Sequence, residues 1–201
     1  MNPATTRRYL HGVAELLLAG PQFRRSDTIR LRTTPGGFGT IKEPDLRVDG
    51  TDLVAGDLRV ALSGTYSQLA AQVGVQAGAP AHIYHDGSGV ALDEEIVLDP
   101  TACLRVLGSF AIGDRALREF APQETPVLWP EHFDVGITIS EINYGVSPGD
   151  SYSVEPYAYV GPWKPRTGEF WNAPFGAARP LGNLTADDLV AFFRAGHTAA
   201  T

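Results

Sequence analysis

The chain has a single cysteine, Cys103, in 201 residues. That excludes an intrachain disulfide and any cysteine-built zinc cage. Lysine is almost missing as well: only Lys42 and Lys164 occur, and the other 14 basic residues are scattered arginines. With a formal net charge of -7 and no basic stripe, the chain lacks the electrostatic footprint of a nucleic-acid or anionic-membrane binder. No apolar run approaches the ~18 residues that suggest a membrane span. The glycine-rich TTPGGFG has no Gly-Lys-Ser/Thr and no helix after it, so it reads as a hairpin turn and not as a phosphate loop. YGVSPGD lacks the Gly-x-Ser-x-Gly spacing of a nucleophile elbow. Arg7 and Arg8 precede an apolar stretch, as in a secretory leader, but His11 and Glu15 interrupt it and no small-x-small cleavage site follows Leu18. An amphipathic helix is the better reading, and the expected location is the cytoplasm.

Apolar residues make up 43% of the chain, enough for an ordinary buried core. The length suits one compact domain, with two lobes over 1–98 and 99–201 as the alternative. Tyr9, Leu10, Val13, Leu16 and Leu17 recur at helical spacing, predicting a helix over 5–19 that Gly20-Pro21 ends. Alternation in TIRLR, DLRV and LRVAL, with DGTD and AGD turns, predicts an antiparallel meander over 28–62 in which Leu58, Val60 and Leu62 face a core. Thr65 or Ser67 can cap a helix over YSQLAAQVG. Asp99-Pro100 starts another with Leu104, Leu107 and Phe110 on one face, and Asp114 caps a further turn or two. FDVGITIS and YSVEPYAYV read as strands, NYGVSPGDS and 161–183 as loops, and Thr185 caps a last helix. The expected class is α+β, mostly antiparallel sheet, with four or five helices including one near each end.

Chemistry is densest in LWPEHFDVGI, where Glu131, His132 and Asp134 sit among Trp129, Pro130 and Phe133. Alternate strand residues share a face. If Val135, Ile137 and Ile139 face the core, His132 and Asp134 face a cleft or solvent. If Val154, Ala158 and Val160 do the same, Glu155, Tyr157 and Tyr159 take the other face. Pairing of these two strands would gather His132, Asp134, Glu155, Tyr157 and Tyr159 on one surface, with Trp129, Phe133, Trp163 and Trp171 as walls. A histidine beside a carboxylate suits a general base. Aromatic walls with a few polar groups suit a small ligand. The plainer alternative is a strand start whose polar groups satisfy backbone. His82 and His85 in HIYHD are three apart, but GAPA and DGSG around them indicate a loop, and no third metal ligand has a known position.

The segments LWPEHFD, NYGVSPGD and EPYAYVGPW resemble a group of uncharacterised, mostly actinobacterial proteins that share a Trp-Pro-x-His-Phe-Asp signature. That resemblance covers about residues 126–184, implies no activity, and implies that Trp129, Pro130, His132, Phe133 and Asp134 act as a set. TIRLRTTPGGFGT, the strands after it and YSQLAAQVG are similar in order to sterol-carrier-like domains, which implies an α+β fold with an apolar cavity over residues 1–75.

Three functions are thus open. The first is a small-molecule binder with Trp129, Phe133, Tyr157, Tyr159 and Trp163 as walls and His132, Asp134 and Glu155 as anchors. The second is an enzyme at the same residues, with His132 as base or ligand, Asp134 orienting it and Glu155 as second carboxylate. The third is an interaction module built on the aromatic loop 161–175. Cofactor and oligomeric state are not legible.

Overall fold

The computed structural model describes residues 3–84 and 87–200. It has the α+β class expected, with antiparallel strands and a helix near each end. Two compact units divide the chain: Met1–Gly108 with Leu128–Phe133, and Ser109–Val127 with Asp134–Thr201.

The first unit opens on a helical run: α1 (Pro3–Gly12), a π-helical segment (Val13–Ala19) and α2 (Gly20–Ser26). The expected stop at Gly20-Pro21 is not a stop. The Gly20 N–H donates to the Glu15 carbonyl five residues back, which widens the turn. Pro21, whose ring would press on a carbonyl in a regular helix interior, therefore sits in the first turn of α2. All seven residues Val13–Ala19 are buried, so this is a core helix with one carboxylate in it.

The meander follows as expected: β1 (Leu31–Thr34), β2 (Gly37–Thr40), β3 (Leu46–Asp49), β4 (Asp52–Ala55) and β5 (Leu58–Ala61) pair in succession. Gln22 ties the helical run to it. Its amide donates to the Thr28 and Arg30 carbonyls and accepts from the Ile41 and Lys42 N–H groups, so a fully buried side chain is fully satisfied. Leu58 and Val60 share the face of the buried Leu53, as expected, but Val60 is only half-buried. β5 is the last strand on its side, so Leu58 is exposed and only Leu62, beyond the strand, is buried. A short pair follows, β6 (Gly64–Thr65) with β7 (Glu95–Ile96). Thr65 caps α3 (Tyr66–Gln72) in a reciprocal box with Gln68.

Helix α4 (Pro100–Phe120) is continuous. Asp114 starts no new turn; it pairs with Arg118 one turn later at 2.8 Å. Leu104 points to solvent, and the buried positions include Cys103, Val106, Leu107, Phe110 and Leu117. β8 (Val127–Trp129) joins β1 through Leu128 opposite Leu31.

The second unit holds β9 (Asp134–Ile139), β10 (Ile142–Ser147), β11 (Tyr157–Pro162) and β12 (Ala177–Pro180), in spatial order β12-β11-β10-β9, with α5 (Ala186–Ala200). Three expectations fail here. Residues 143–147, read as part of a loop, belong to strand β10, which lies between β9 and β11, so those two do not pair directly. Ile142, Tyr144 and Val146 carry its core face, all buried, and the intervening Asn143 and Gly145 disguised the alternation. Val154 and Glu155 lie before β11, because pairing begins after Pro156; Val154 is 69% exposed. Finally, the expected loop 161–183 contains the end of β11 and all of β12. Ser140 and Glu141, both with positive φ, make the two-residue turn between β9 and β10. Thr185 caps α5 with Asp188 as expected. Both helices approach the strands at glycines. A Cβ on Gly113 would lie 2.8 Å from Val135 and Val146 atoms, and one on Gly196 2.7 Å from Val160.

Candidate functional site

The Trp129–Phe133 stretch is a tight turn closed by the Phe133 N–H on the Trp129 carbonyl at 2.8 Å. Phe133 is buried and has a φ of 53°, a left-handed conformation that costs a large side chain energy. The turn aims the Pro130 carbonyl at His11 Nε2, 2.6 Å away, and lays the Phe133 ring parallel to the imidazole at 5.1 Å and 4°. Phe38 meets Phe133 edge-on at 5.6 Å. A carbonyl can only accept, so Nε2 carries the hydrogen, and the neutral ring keeps a bare Nδ1. That nitrogen has no hydrogen-bond partner among the described residues.

Burial pushes the His11 pKa below its ordinary value, against the pull of the Pro130 carbonyl and Glu15. A depressed folded-state pKa means that the unfolded chain takes up a proton first as pH falls. The His11 contribution to stability is therefore intact above about pH 6.5 and declines from there toward the lower folded-state value. Urea midpoints measured from pH 8 to 5 should show that decline in the wild type and a shallower one in His11→Gln.

Glu15 lies one helical turn after His11. Its Oε2 accepts from the Ser88 N–H at 3.0 Å and from the Ser88 hydroxyl at 2.6 Å. Gly87 leaves room for it; a Cβ there would come within 2.9 Å of the Glu15 carboxyl carbon. The Tyr84 hydroxyl is buried beside the Glu15 carboxylate without a well-formed hydrogen bond to any described residue. Burial, then the charge of Glu15 and the approach of the hydroxyl to that carboxylate, raises its pKa well above that of an ordinary tyrosine, and Glu131 adds to the effect. The described residues of the connection between α3 and β7, 75–84 and 87–94, carry Tyr84 and Ser88, and the helical run clasps them at both ends. Arg24 donates to the Gln76 and Gly78 carbonyls, and Arg8 to the Gly89 carbonyl and Glu94. So long a connection with little regular structure is commonly a functional one.

Of the residues the sequence singled out, Phe133 and Trp129 build this turn, and Arg30 lies over the Trp129 ring at 5.6 Å. His132 is 67% exposed and 3.4 Å from Glu131. Asp134, Tyr157 and Tyr159 assemble separately in the second unit. The Tyr159 ring crosses Gly145 and Gly136, which stand beside it in register, and its hydroxyl donates to Asp134. Burial and Asp134 raise the Tyr159 pKa strongly. Tyr157 donates to Asp150 at 2.6 Å, and its ring packs with Tyr152 and Phe175. Glu155 is exposed ahead of β11. Trp163 is 62% exposed.

No family model matches the chain, and no match was found among curated proteins or among solved structures. Among the described residues, no three histidine, cysteine or acidic side chains converge in a way that could hold a metal ion. His82 is exposed in a turn, with φ of 62°, while His85 and Asp86 lie outside the described residues. Cys103 is buried, donates to the Gly50 carbonyl, and has its pKa pushed up to about 11 by burial, which makes it a poor nucleophile.

His11, Glu15, Tyr84 and Ser88 escaped the sequence reading as site residues. Two signals were there. His11 and Glu15 are four apart in a helix, and Glu15 interrupts an otherwise apolar VAELLLA segment. A carboxylate in such a segment needs a partner from elsewhere in the chain.

Proposed function

We propose that the protein binds a small molecule at the His11–Glu15–Tyr84–Ser88 cluster, with Phe133 and the Trp129–Phe133 turn as its aromatic support. The observation that carries this reading is the unfilled hydrogen-bonding capacity beside a buried carboxylate: an open acceptor on His11 Nδ1 and a poorly paired donor on the buried Tyr84 hydroxyl. Buried polar groups are nearly always well paired, so a bare His11 Nδ1 and a poorly paired Tyr84 hydroxyl, both within the field of Glu15, suggest a partner that comes and goes. The flat His11–Phe133 stack suits an aromatic or otherwise planar ligand. The acidic balance favours a neutral or cationic ligand over nucleic acid, and a cytoplasmic setting belongs to the same proposal. None of the described helices is long and apolar enough to cross a membrane.

A second reading follows from the tautomer of His11. A neutral imidazole with Nε2 held by a carbonyl and Nδ1 open is set to accept a proton, which would make the site catalytic. Asp134, Glu155, Tyr157, Tyr159 and Trp163 are not needed for either reading.

The test is thermal denaturation against a panel of phenols, neutral heteroaromatic compounds and aromatic amines. At least one compound should raise the wild-type midpoint by several degrees, and Tyr84→Phe and His11→Gln should each remove most of that shift. Equal shifts in all three proteins would place binding elsewhere.

A further inference from the structure

Trp163 is the large aromatic side chain most open to solvent, yet it is not loose. Its indole N–H donates to Asn143 Oδ1 at 3.2 Å, and its backbone N–H donates to the Glu141 carbonyl at 2.9 Å. Asn143 Oδ1 also accepts from the Thr138 hydroxyl at 2.8 Å. Tryptophan N–H is a donor only, which fixes the Asn143 amide so that its NH2 group points away from these bonds. That NH2 has no partner among the described residues. Lys164 reaches Glu141 at 3.3 Å, both exposed. The tryptophan is thus held at two points and has its one polar atom satisfied, so it offers a π-face and nothing else. Around it stand an amide, a hydroxyl, an ammonium and a carboxylate.

The chemistry narrows the occupant. Nucleic-acid bases stack on such rings, but the phosphates need a basic groove, and here Glu141 sits in the rim of an acidic protein. Cation recognition is favoured by several rings around one charge, whereas no second ring contact is made by Trp163 among the described residues. A protein hot spot lies in a well-packed, water-excluding centre, and residues 164–169 beside Trp163 are all exposed and largely polar. A ring with one C–H face and a hydroxylated edge matches an isolated π-face with a polar rim.

We propose that Trp163, with Asn143, Glu141 and Lys164, is a platform for a neutral sugar ring, distinct from the His11 cluster. The C–H face would lie on the indole, and the hydroxyls would meet the Asn143 amide and the Glu141–Lys164 pair.

The probes are cellohexaose and N-acetylchitohexaose, titrated into the full chain while tryptophan fluorescence is followed. At least one should give saturable binding in the millimolar range. Trp163→Ala should weaken it about tenfold or more, and Asn143→Leu should weaken it less. Trp171→Phe should bind as the wild type does, and far-ultraviolet circular dichroism of each variant shows that the fold is retained. No saturable response to either sugar overturns the proposal, and so does binding that survives Trp163→Ala. Sedimentation velocity gives the remaining outcome: a wild-type dimer that Trp163→Ala dissociates would make the ring a contact between copies, and the proposal would be wrong.

Discussion

Gly145→Ala should destabilise the second unit by about 4 kcal/mol. The strand position itself tolerates alanine; the neighbours do not. A Cβ at 145 would lie 2.5 Å from the Tyr159 Cζ and 2.6 Å from the Val135 carbonyl oxygen. The carbonyl belongs to the adjacent strand and moves only with it. The ring must therefore lift, and lifting it pulls the Tyr159 hydroxyl off Asp134. Overpacking in a filled interior costs about 1–3 kcal/mol, and a lost hydrogen bond to a charged acceptor about 1.5–3 kcal/mol. Tyr159→Phe separates the two parts. It keeps the ring over Gly145 and Gly136 and removes only the hydroxyl, so it should cost about 2 kcal/mol. Urea unfolding of both variants measures this. If Gly145→Ala unfolds at the wild-type midpoint, the ring does not lie on that glycine.

Glu15→Ala should cost about 3 kcal/mol and loosen the connection between α3 and β7 around Ser88. The carboxylate accepts both Ser88 hydrogens, and its removal leaves two donors without an acceptor and a space where the side chain was. Glu15→Gln keeps an oxygen for Ser88 and should lose about 1 kcal/mol. Hydrogen exchange reads the loop directly. The Ser88 amide should exchange much faster in Glu15→Ala than in Glu15→Gln, while amides of β9 and β10 stay as protected as in the wild type. Unchanged protection at Ser88 would mean that Glu15 does not fasten the loop.

Local chemistry made much of the fold readable. The capping boxes at Thr65–Gln68 and Thr185–Asp188 and the turns between β3, β4 and β5 each depend on residues a few positions apart. What was hidden depends on distant partners. Gly145 reads as a turn residue until Tyr159, fourteen positions on, is laid across it. Gly20-Pro21 reads as a helix stop until the π turn at Glu15 is seen to absorb it. Leu58 reads as core until β5 is seen to be the last strand on its side.

The site divides in the same way. The WPEHFD stretch was visible because its residue types are dense, and its turn does meet His11. What matters in it, though, is the Pro130 carbonyl and the Phe133 ring more than the exposed His132 imidazole. No spacing rule connects position 130 with position 11, or position 88 with position 15. The first pairing depends on β8 lying beside β1, and the second on the contacts of Arg8 and Arg24 with residues 76–94.

The tautomer of His11 tests the account at its centre. A long-range proton–nitrogen spectrum of the imidazoles at pH 7.5 distinguishes a protonated ring nitrogen from a bare one. The structure predicts a neutral His11 with hydrogen on Nε2 and a bare Nδ1; the proposed binding adds that this nitrogen shifts when a ligand from the panel is added and does not shift in Tyr84→Phe. A His11 ring that carries its hydrogen on Nδ1, or that is doubly protonated at that pH, would contradict it.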